Sequence, residues 1–190
     1  ALWWVVLQHL VNAKWSTVVR RVGEILASTM PMLALLSLPI VIPTLMGDTT
    51  LYIWADGNKM QADHMLHKKA AYLNKDFFVV RLVIYFVFWG VLSRFLFSKS
   101  VEQDKTGAPE IRSKLQGLCA PSMILLALTL TFASIDFLMT LEPKWYSTIF
   151  GVYCAMGAFC FVGALAIAYP LPWLLNIPEE SILDARAVLL

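Results

Sequence analysis

The chain has 190 residues, of which 59% are hydrophobic and 15% are charged, and its formal net charge is +2. A soluble domain has about a quarter of its residues charged, so this composition indicates a membrane protein. The net charge is too small, and the basic residues are too scattered, for a nucleic-acid-binding surface. Nucleic-acid binding is therefore excluded.

Four apolar runs are long enough to cross about 30 Å of hydrocarbon, which takes roughly 20 helical residues. They cover residues 24–46, 77–97, 118–141 and 147–169. The runs are continuously apolar and lack the alternation that a strand of a membrane barrel requires. The sequence predicts an all-α fold: a polytopic transmembrane helical bundle that forms a single domain over residues 1–190.

The start of the chain indicates that it is a piece of a longer protein. The first apolar run, ALWWVVLQHLVNA, is too short to span a bilayer. It also begins without a methionine or the charge pattern of a signal peptide. We interpret it as the end of a helix whose beginning is absent, so partial helices are expected to flank the four spans.

The connecting segments predict which helix ends share a side of the membrane. Residues 12–23 form a short basic turn and residues 98–117 a polar loop, on one side; residues 48–76 form the longest loop and residues 142–146 a tight turn, on the other. The first side carries eight basic residues: Lys14, Arg20, Arg21, Arg94, Lys99, Lys105, Arg112 and Lys114. The second side carries six: Lys59, Lys68, Lys69, Lys75, Arg81 and Lys144. This excess places the first side in the cytoplasm. Within the long loop, KMQADHMLHKKAAYLNKDFF predicts a short interfacial helix.

Cysteines and histidines do not form a ligand set for a cofactor. The cysteines make no Cys-x-x-Cys spacing, which argues against an iron–sulfur cluster or a c-type haem. His9 is the only histidine in an apolar run, so a membrane b-type haem lacks its second axial ligand. His64 and His67 are three residues apart but have no third metal ligand nearby. The sequence predicts packing roles for Cys119, Cys154 and Cys160.

Arg81 and Asp136 are charged side chains inside the apolar runs. Arg81 is about four residues into its run, and the simpler interpretation is that its long stem reaches the membrane interface; the alternative gives it a carboxylate partner. Asp136 lies five residues before Leu141, roughly 7 to 8 Å along the helix axis, which is too deep for a short side chain to reach the headgroups. A charge in hydrocarbon is disfavoured by roughly 2.5 to 3.5 kcal/mol. Asp136 must therefore pair, hold a proton or line a wet cavity.

Helical spacing places other polar residues on the face that carries Asp136, namely Ser122, Thr129 and Thr140. Apolar neighbours are expected to lie elsewhere, at Leu126, Leu130 and Phe137. Two interpretations of this polar seam remain open. In the first, the hydroxyls bond to their own helix and Asp136 pairs with a neighbour to fix the packing. In the second, the seam is a proton path, and Asp136 is a partly desolvated acid that releases its proton when its surroundings change.

Prolines and small residues predict features of the first and last spans. The first span is expected to kink or break, at Pro31, Pro39 and Pro43, and without a polar neighbour these prolines are interpreted as tolerated. Small residues let neighbouring helices approach closely. They follow two stripes of the last span: Gly151, Ala155 and Ala158, and Cys160, Ala164 and Ala168.

Several segments resemble one membrane-protein family. The turn SIDFLMTLEPKWYSTIFGVY, residues 134–153, resembles the Asp-Trp-Leu-Met-Ser-Leu-(Asp/Glu)-Pro-x-Trp-(Tyr/Phe)-Ser-Thr-Ile-Phe-Gly pattern of the ActF-type membrane subunit of alternative complex III, the bacterial quinol:electron acceptor oxidoreductase. HLVNAKWSTVVRRVGE and HKKAAYLNKDFFVVRLVIYF resemble that family's basic turn and the loop before its next span, and NIPEES resembles an element near its end. Phe137 stands where the pattern has Trp. Family members carry further sequence where this chain runs from Tyr169 to Trp173, so a stretch is expected to be missing there.

The resemblance implies a fold of NrfD-like paired four-helix bundles and a multi-pass location in the bacterial inner membrane. It implies that the chain lacks a redox centre and lies beside an NrfD-like subunit that binds menaquinol or ubiquinol. An iron–sulfur subunit and a multihaem cytochrome subunit with haem c are the other implied partners. Such a complex passes electrons from quinol to a cytochrome c or a copper protein in a respiratory or photosynthetic chain. The family's subunit is proposed to assist proton translocation.

On that implication, the candidates for a proton path in this chain are Asp136, Thr129, Ser122, Thr140, Glu142, Arg81 and Asp76. Two alternatives of another class remain. An NrfD-like anchor that binds quinol directly requires a His or Asp with aromatic neighbours in a pocket near the periplasmic surface. A secondary transporter requires the kinked run at Pro31 and Pro39 to act as a gate and to have a second copy, and the sequence contains no such repeat.

Overall fold

The computed structural model describes residues 1–13, 17–107 and 109–168, and its regular elements in those ranges are all helical. The α-helices are α1 (Leu2–Leu10), α2 (Thr17–Ser28), α3 (Met30–Met46), α4 (Gly57–Ala62), α5 (His64–His67), α6 (Lys75–Thr106), α7 (Pro109–Phe137) and α8 (Phe150–Ala168), with 3-10 turns at Ile53–Ala55 and Met139–Leu141. By length and composition, the helices at Lys75–Thr106 and Glu110–Leu141 can each cross a membrane. A third span is formed if α2 and α3 count as one. An all-helical fold with two or three helices able to cross a membrane is thus confirmed for the described residues.

The first predicted span, residues 24–46, is a bent pair of helices. α2 and α3 meet at an angle of 46°, and the break lies at Thr29. Pro31 follows at the start of α3, where the missing N–H costs no helical hydrogen bond. Two further prolines lie inside α3 without ending it, at Pro39 and Pro43.

The last predicted span, residues 147–169, begins later than expected. α8 starts at Phe150 and ends at Ala168, and Phe150–Leu165 within it is an apolar helix. Residue 169 and the join that we expected between Tyr169 and Trp173 lie outside the described residues. The fourth span therefore stays a prediction.

The predicted polar loop at residues 98–117 is wrong, because most of it is helical. α6 continues to Thr106 and α7 begins at Pro109. The residues after the apolar run include good helix formers such as Glu, Gln and Lys, and the helix ends only at Gly107, whose φ of 64° suits glycine. With 32 residues, α6 is about 48 Å long. It therefore extends well beyond the hydrocarbon layer.

The long loop at residues 48–76 contains two short helices instead of the single interfacial helix that we expected. Asp56 caps α4 by accepting a hydrogen bond from the backbone N–H of Asn58. Asp63 caps α5 in the same way, from the N–H of Met65 at 2.9 Å. Because Asp63 has an extended backbone, it interrupts the helix and starts a new one.

Contacts between helix ends and between loops confirm which helix ends share a side. On one side, the Gln116 amide donates to the carbonyl of Leu10 at 3.0 Å, and Arg21 pairs with Asp104. On the other side, residues 142–146 contact the long loop through two lysines. Lys69 Nζ donates to the carbonyl of Pro143, and Lys144 pairs with Asp63 at 2.9 Å. Which side faces the cytoplasm stays a prediction.

α7 lies at the centre of the bundle and packs against α1, α6 and α8. Its contact with α8 depends on Gly151, where an added Cβ would lie 2.6 Å from Cγ2 and 2.8 Å from Cβ of Thr131. Ala155 is buried on the same stripe. The second stripe of small residues is exposed among the described residues, at Cys160, Ala164 and Ala168. Close approach is thus confirmed at Gly151 and Ala155, whereas Ala158 of the same predicted stripe is exposed.

We expect Gly151→Ala to destabilise the protein, because the clash with Thr131 Cβ is not relieved by rotating the Thr131 side chain. Overpacking costs roughly 1 to 3 kcal/mol. Gly157→Ala is the matched control, since a Cβ at Gly157 meets nothing within 4 Å. Thermal unfolding of the purified protein in detergent, followed by helical circular dichroism, measures both. Equal midpoints for the two variants would contradict the close α7–α8 contact.

Candidate functional site

A buried ion pair joins α6 to α7. Arg81 Nε donates to Asp136 Oδ2 at 2.9 Å, and Nη2 donates to Oδ1 at 2.9 Å. Asp136 is 0% exposed and Arg81 is 6% exposed. The two parallel bonds match the planar guanidinium to the carboxylate, which is the strong, geometrically specific form of this interaction. This pair is the core of the candidate site.

The interpretation that Arg81 reaches the membrane interface is wrong, and the carboxylate-partner alternative is confirmed. The guanidinium turns inward, where its carbon lies 3.9 Å from the ring centroid of Tyr72 and 4.4 Å from that of Phe77. Arg81 Nη1 also donates to the backbone carbonyl of Tyr72 at 3.1 Å. The charge is stabilised by two aromatic faces and a carboxylate, so it does not need bulk water.

A third donor completes the surroundings of the carboxylate. The Tyr85 hydroxyl donates to Asp136 Oδ2 at 3.0 Å. Tyr85 stacks on Trp89 with ring centroids 5.9 Å apart, and Trp89 Nε1 donates to Thr129 Oγ1 at 3.0 Å. Arg81, Tyr85 and Trp89 follow at intervals of four residues, so they share one face of α6. This face meets the predicted polar seam of α7.

The polar seam of α7 is confirmed as a protein-facing surface, but its hydroxyls bond mainly to their own helix. Ser122, Asp136 and Thr140 are buried. Thr129 donates to the carbonyl of Leu125 at 2.8 Å, and Thr140 donates to that of Asp136 at 2.7 Å. These are the local bonds that the first interpretation of the seam expected.

The expectation that Leu126 lies away from the seam is wrong. Leu126 is buried, as is Ala133, because the series 122, 126, 129, 133, 136 and 140 alternates steps of four and three residues and so follows one helical face. Apolar side chains therefore separate Ser122 from Thr129 and Thr129 from Asp136. The described residues of this face do not form a continuous polar line.

The carbonyls at the end of α7 are capped by other segments. The Tyr52 hydroxyl, from the long loop, donates to the carbonyl of Phe137 at 3.0 Å. Burial raises the pKa of Tyr52 to about 12 and also raises the pKa of Tyr72. Both phenols therefore stay protonated at neutral pH. The Tyr72 hydroxyl is buried and has no hydrogen-bond partner within the described ranges.

Asp76 and Glu142 lie apart from the buried pair. Asp76 is exposed in the first turn of α6, where a carboxylate is stabilised by the N-terminal end of the helix dipole. Glu142 is exposed in the turn after α7. Among residues 1–13, 17–107 and 109–168, no hydrogen bond or ion pair joins either of them to Asp136. Their roles as ends of a proton path stay predictions.

A second buried charge lies at the opposite end of the bundle and was missed by sequence reasoning. Glu24 is 2% exposed and accepts a hydrogen bond from Arg21 Nη1 at 2.8 Å. Its other oxygen lies 3.5 Å from Arg20 Nε and 3.4 Å from His9 Nε2, and Arg21 also pairs with Asp104. The helical spacing of Arg20 and Arg21 before Glu24 was a usable signal. No signal in the sequence indicated that His9 lies beside Glu24, because His9 belongs to another helix.

The candidate metal ligands are dispersed. Within the described ranges there is no group of three or more His, Cys, Asp or Glu residues able to hold a metal ion. His64 and His67 are both exposed. Of the cysteines, Cys119 is buried in the packing between helices and Cys160 is exposed. The expectation that cofactors lie in partner subunits stays a prediction.

We expect Arg81→Gln and Asp136→Asn each to destabilise the protein by about 3 to 5 kcal/mol, because either change leaves a buried charge without its partner. The double variant should cost less than the sum, since both charges are gone. Ser134→Ala is a suitable control: Ser134 is buried in α7 but donates only to the carbonyl of Thr131. Unfolding in detergent gives the free energy of unfolding of the two single variants, the double variant and the control. If the losses of the two single variants add up in the double variant, the direct coupling of Arg81 and Asp136 is contradicted.

Comparisons with known proteins do not assign this chain to a family. No family model matches the sequence, and no curated protein matches it either. The likeness to the ActF-type subunit therefore rests on the motif residues themselves, and the function that it implies is a proposal.

Proposed function

We propose that this chain is a membrane subunit of a quinol:electron acceptor oxidoreductase that carries no redox centre and scaffolds the complex. The observation that carries the proposal is a contact between two motif segments. Arg81 belongs to HKKAAYLNKDFFVVRLVIYF and Asp136 to SIDFLMTLEPKWYSTIFGVY, and these side chains make a bidentate ion pair. The residues that resemble the family are thus joined to each other in the bundle.

The geometry of the pair suits a scaffold. The Asp136 carboxylate receives three hydrogen bonds, from Arg81 Nε and Nη2 and from the Tyr85 hydroxyl. A carboxylate that receives two parallel bonds from a guanidinium is held in one geometry. Breaking such a pair is costly, so the contact selects one arrangement of α6 on α7 and supports a rigid surface for neighbouring subunits.

Proton conduction is the second candidate function, and one observation favours it. Asp136 is a fully buried carboxyl that contacts the Tyr85 hydroxyl, and hydroxyls beside a buried acid are the elements of a proton relay. The three donors to the carboxylate count against it, because they already occupy both of its oxygens. We therefore rank the scaffold role first.

The remaining alternatives have less support from the geometry. One cavity is lined partly by Tyr72, which covers Arg81, and by Thr140, and its described lining residues include no histidine or aspartate. A quinol-binding anchor requires one. The bend at Thr29 lies beside apolar residues and the local hydroxyl bonds of Ser28 and Thr29. A transporter site there would lack polar groups to hold a substrate.

Affinity purification of the tagged protein in mild detergent tests the scaffold role. We expect multihaem and iron–sulfur partners to co-purify, with haem c absorption in the complex and none in the isolated chain. Arg81→Gln should reduce the yield of complex, whereas Ser134→Ala should not. Isolation of the wild-type chain as a lone homo-oligomer would contradict the proposal.

Asp136→Asn separates the scaffold from the proton path, because asparagine keeps the shape of the side chain but cannot carry the proton. We expect the fraction of complex that still assembles to move as many protons per electron as the parent across sealed vesicles. The measurement is the proton-to-electron ratio, normalised to assembled complex. A lower ratio at equal quinol oxidation would establish Asp136 as part of a proton path.

A further inference from the structure

We propose that the cavity between the long loop and the turn after α7 binds the headgroup of an anionic glycerophospholipid. The cavity has a volume of about 350 Å³, within the range of roughly 300 to 1,000 Å³ typical of small-molecule sites. Its walls come from residues 68–73, from the last turns of α7 and from residues 143–146. It is a separate site from the buried pair, and the proposal does not depend on the identity of the complex.

The position of the cavity fits a lipid headgroup. It lies where α7 ends at Phe137 and the apolar part of α6 begins, which is the boundary between hydrocarbon and water in a spanning bundle. Trp145 and Tyr146 line it and are exposed. Tryptophan and tyrosine are enriched at this level of a bilayer. Ile135 and Met139 also line it and provide apolar surface for the upper acyl chain.

The charge of the lining selects an anion. Lys68 and Lys69 are the charged residues among the described residues of the lining, and none of those residues is acidic. Lys68 is exposed, and its ammonium makes no hydrogen bond or ion pair in the part of the chain that the structure describes. Lys69 Nζ donates one bond to the Pro143 carbonyl and retains two further N–H donors. Both ammonium groups are thus available to a phosphate.

Neighbouring charges do not cancel this preference. Asp63 is not among the described lining residues. It is paired with Lys144 at 2.9 Å, and the hydrogen bond from Lys144 lowers the pKa of Asp63. This pair and the Lys69–Pro143 bond hold the long loop against the turn. Two lining residues, Lys69 and Pro143, are therefore fixed by a direct contact, and the described lining holds two lysines and no carboxylate. Basic pockets at membrane helix ends recognise anionic lipid headgroups in this way.

Titration of the purified full protein, in its complex if it co-purifies, tests the proposal by native mass spectrometry. The probes are a short-chain phosphatidylglycerol, the phosphatidylcholine of the same chain length and inorganic phosphate. We expect phosphatidylglycerol to bind at a lower concentration than phosphatidylcholine. Lys68→Gln should weaken that binding about fivefold, the factor for a contribution of about 1 kcal/mol per lysine at an anionic surface.

Lys59→Gln is the control, because Lys59 lies on the same loop but bonds to Thr49 outside the cavity. Lys68→Gln removes no described contact of the fold, so it should leave the unfolding midpoint unchanged. An equal loss of binding in both variants would overturn the site in favour of general surface charge. Equal binding of phosphatidylcholine would overturn the selection for an anionic lipid, and full displacement by inorganic phosphate would overturn the lipid assignment.

Discussion

The arrangement of this bundle depends on the need to neutralise two charges inside an apolar layer. Arg81 and Asp136 neutralise each other's charge through two hydrogen bonds. These bonds form only when α6 and α7 pack in one register. The aromatic rings of Tyr72 and Phe77 cover the guanidinium. The long loop is positioned by the same charge, since Arg81 also bonds to the Tyr72 carbonyl. A single polar contact thus orders two helices and the segment between α5 and α6.

The two ends of α6 face different electrostatic surroundings. Near its beginning, Arg81 belongs to a closed pair whose members are almost wholly buried. Near its end, Asp104 is exposed and pairs with Arg21, which also bonds to the buried Glu24. Glu24 therefore reaches water through a chain of charges, whereas Asp136 does not. Salt weakens a buried pair much less than an exposed one, so the two ends of this helix respond differently to ionic strength.

Sequence reasoning predicted the helical class, the apolar cores of the spans and the unusual position of Asp136, because these depend on composition and spacing along one helix. It did not predict the partner of Asp136, since pairing across 55 residues depends on which faces meet. It assigned Leu126 to the wrong face through a small error in helical phase. It also ended α6 at the last apolar residue, although polar residues such as Glu102 and Gln103 continue a helix as readily as apolar ones.

The extension of α6 beyond the bilayer has a practical consequence. Residues 98–106 add roughly 13 Å of helix past the apolar run, and the turn at Gly107 is therefore held clear of the lipid headgroups. The backbone at Gly107 is exposed, and a Cβ added there meets nothing within 4 Å. Exposed turns of this kind accept inserted sequence with little cost to the fold. The tip of the α6–α7 hairpin is thus a suitable place for an epitope or a fluorescent domain that reports the protein in intact cells.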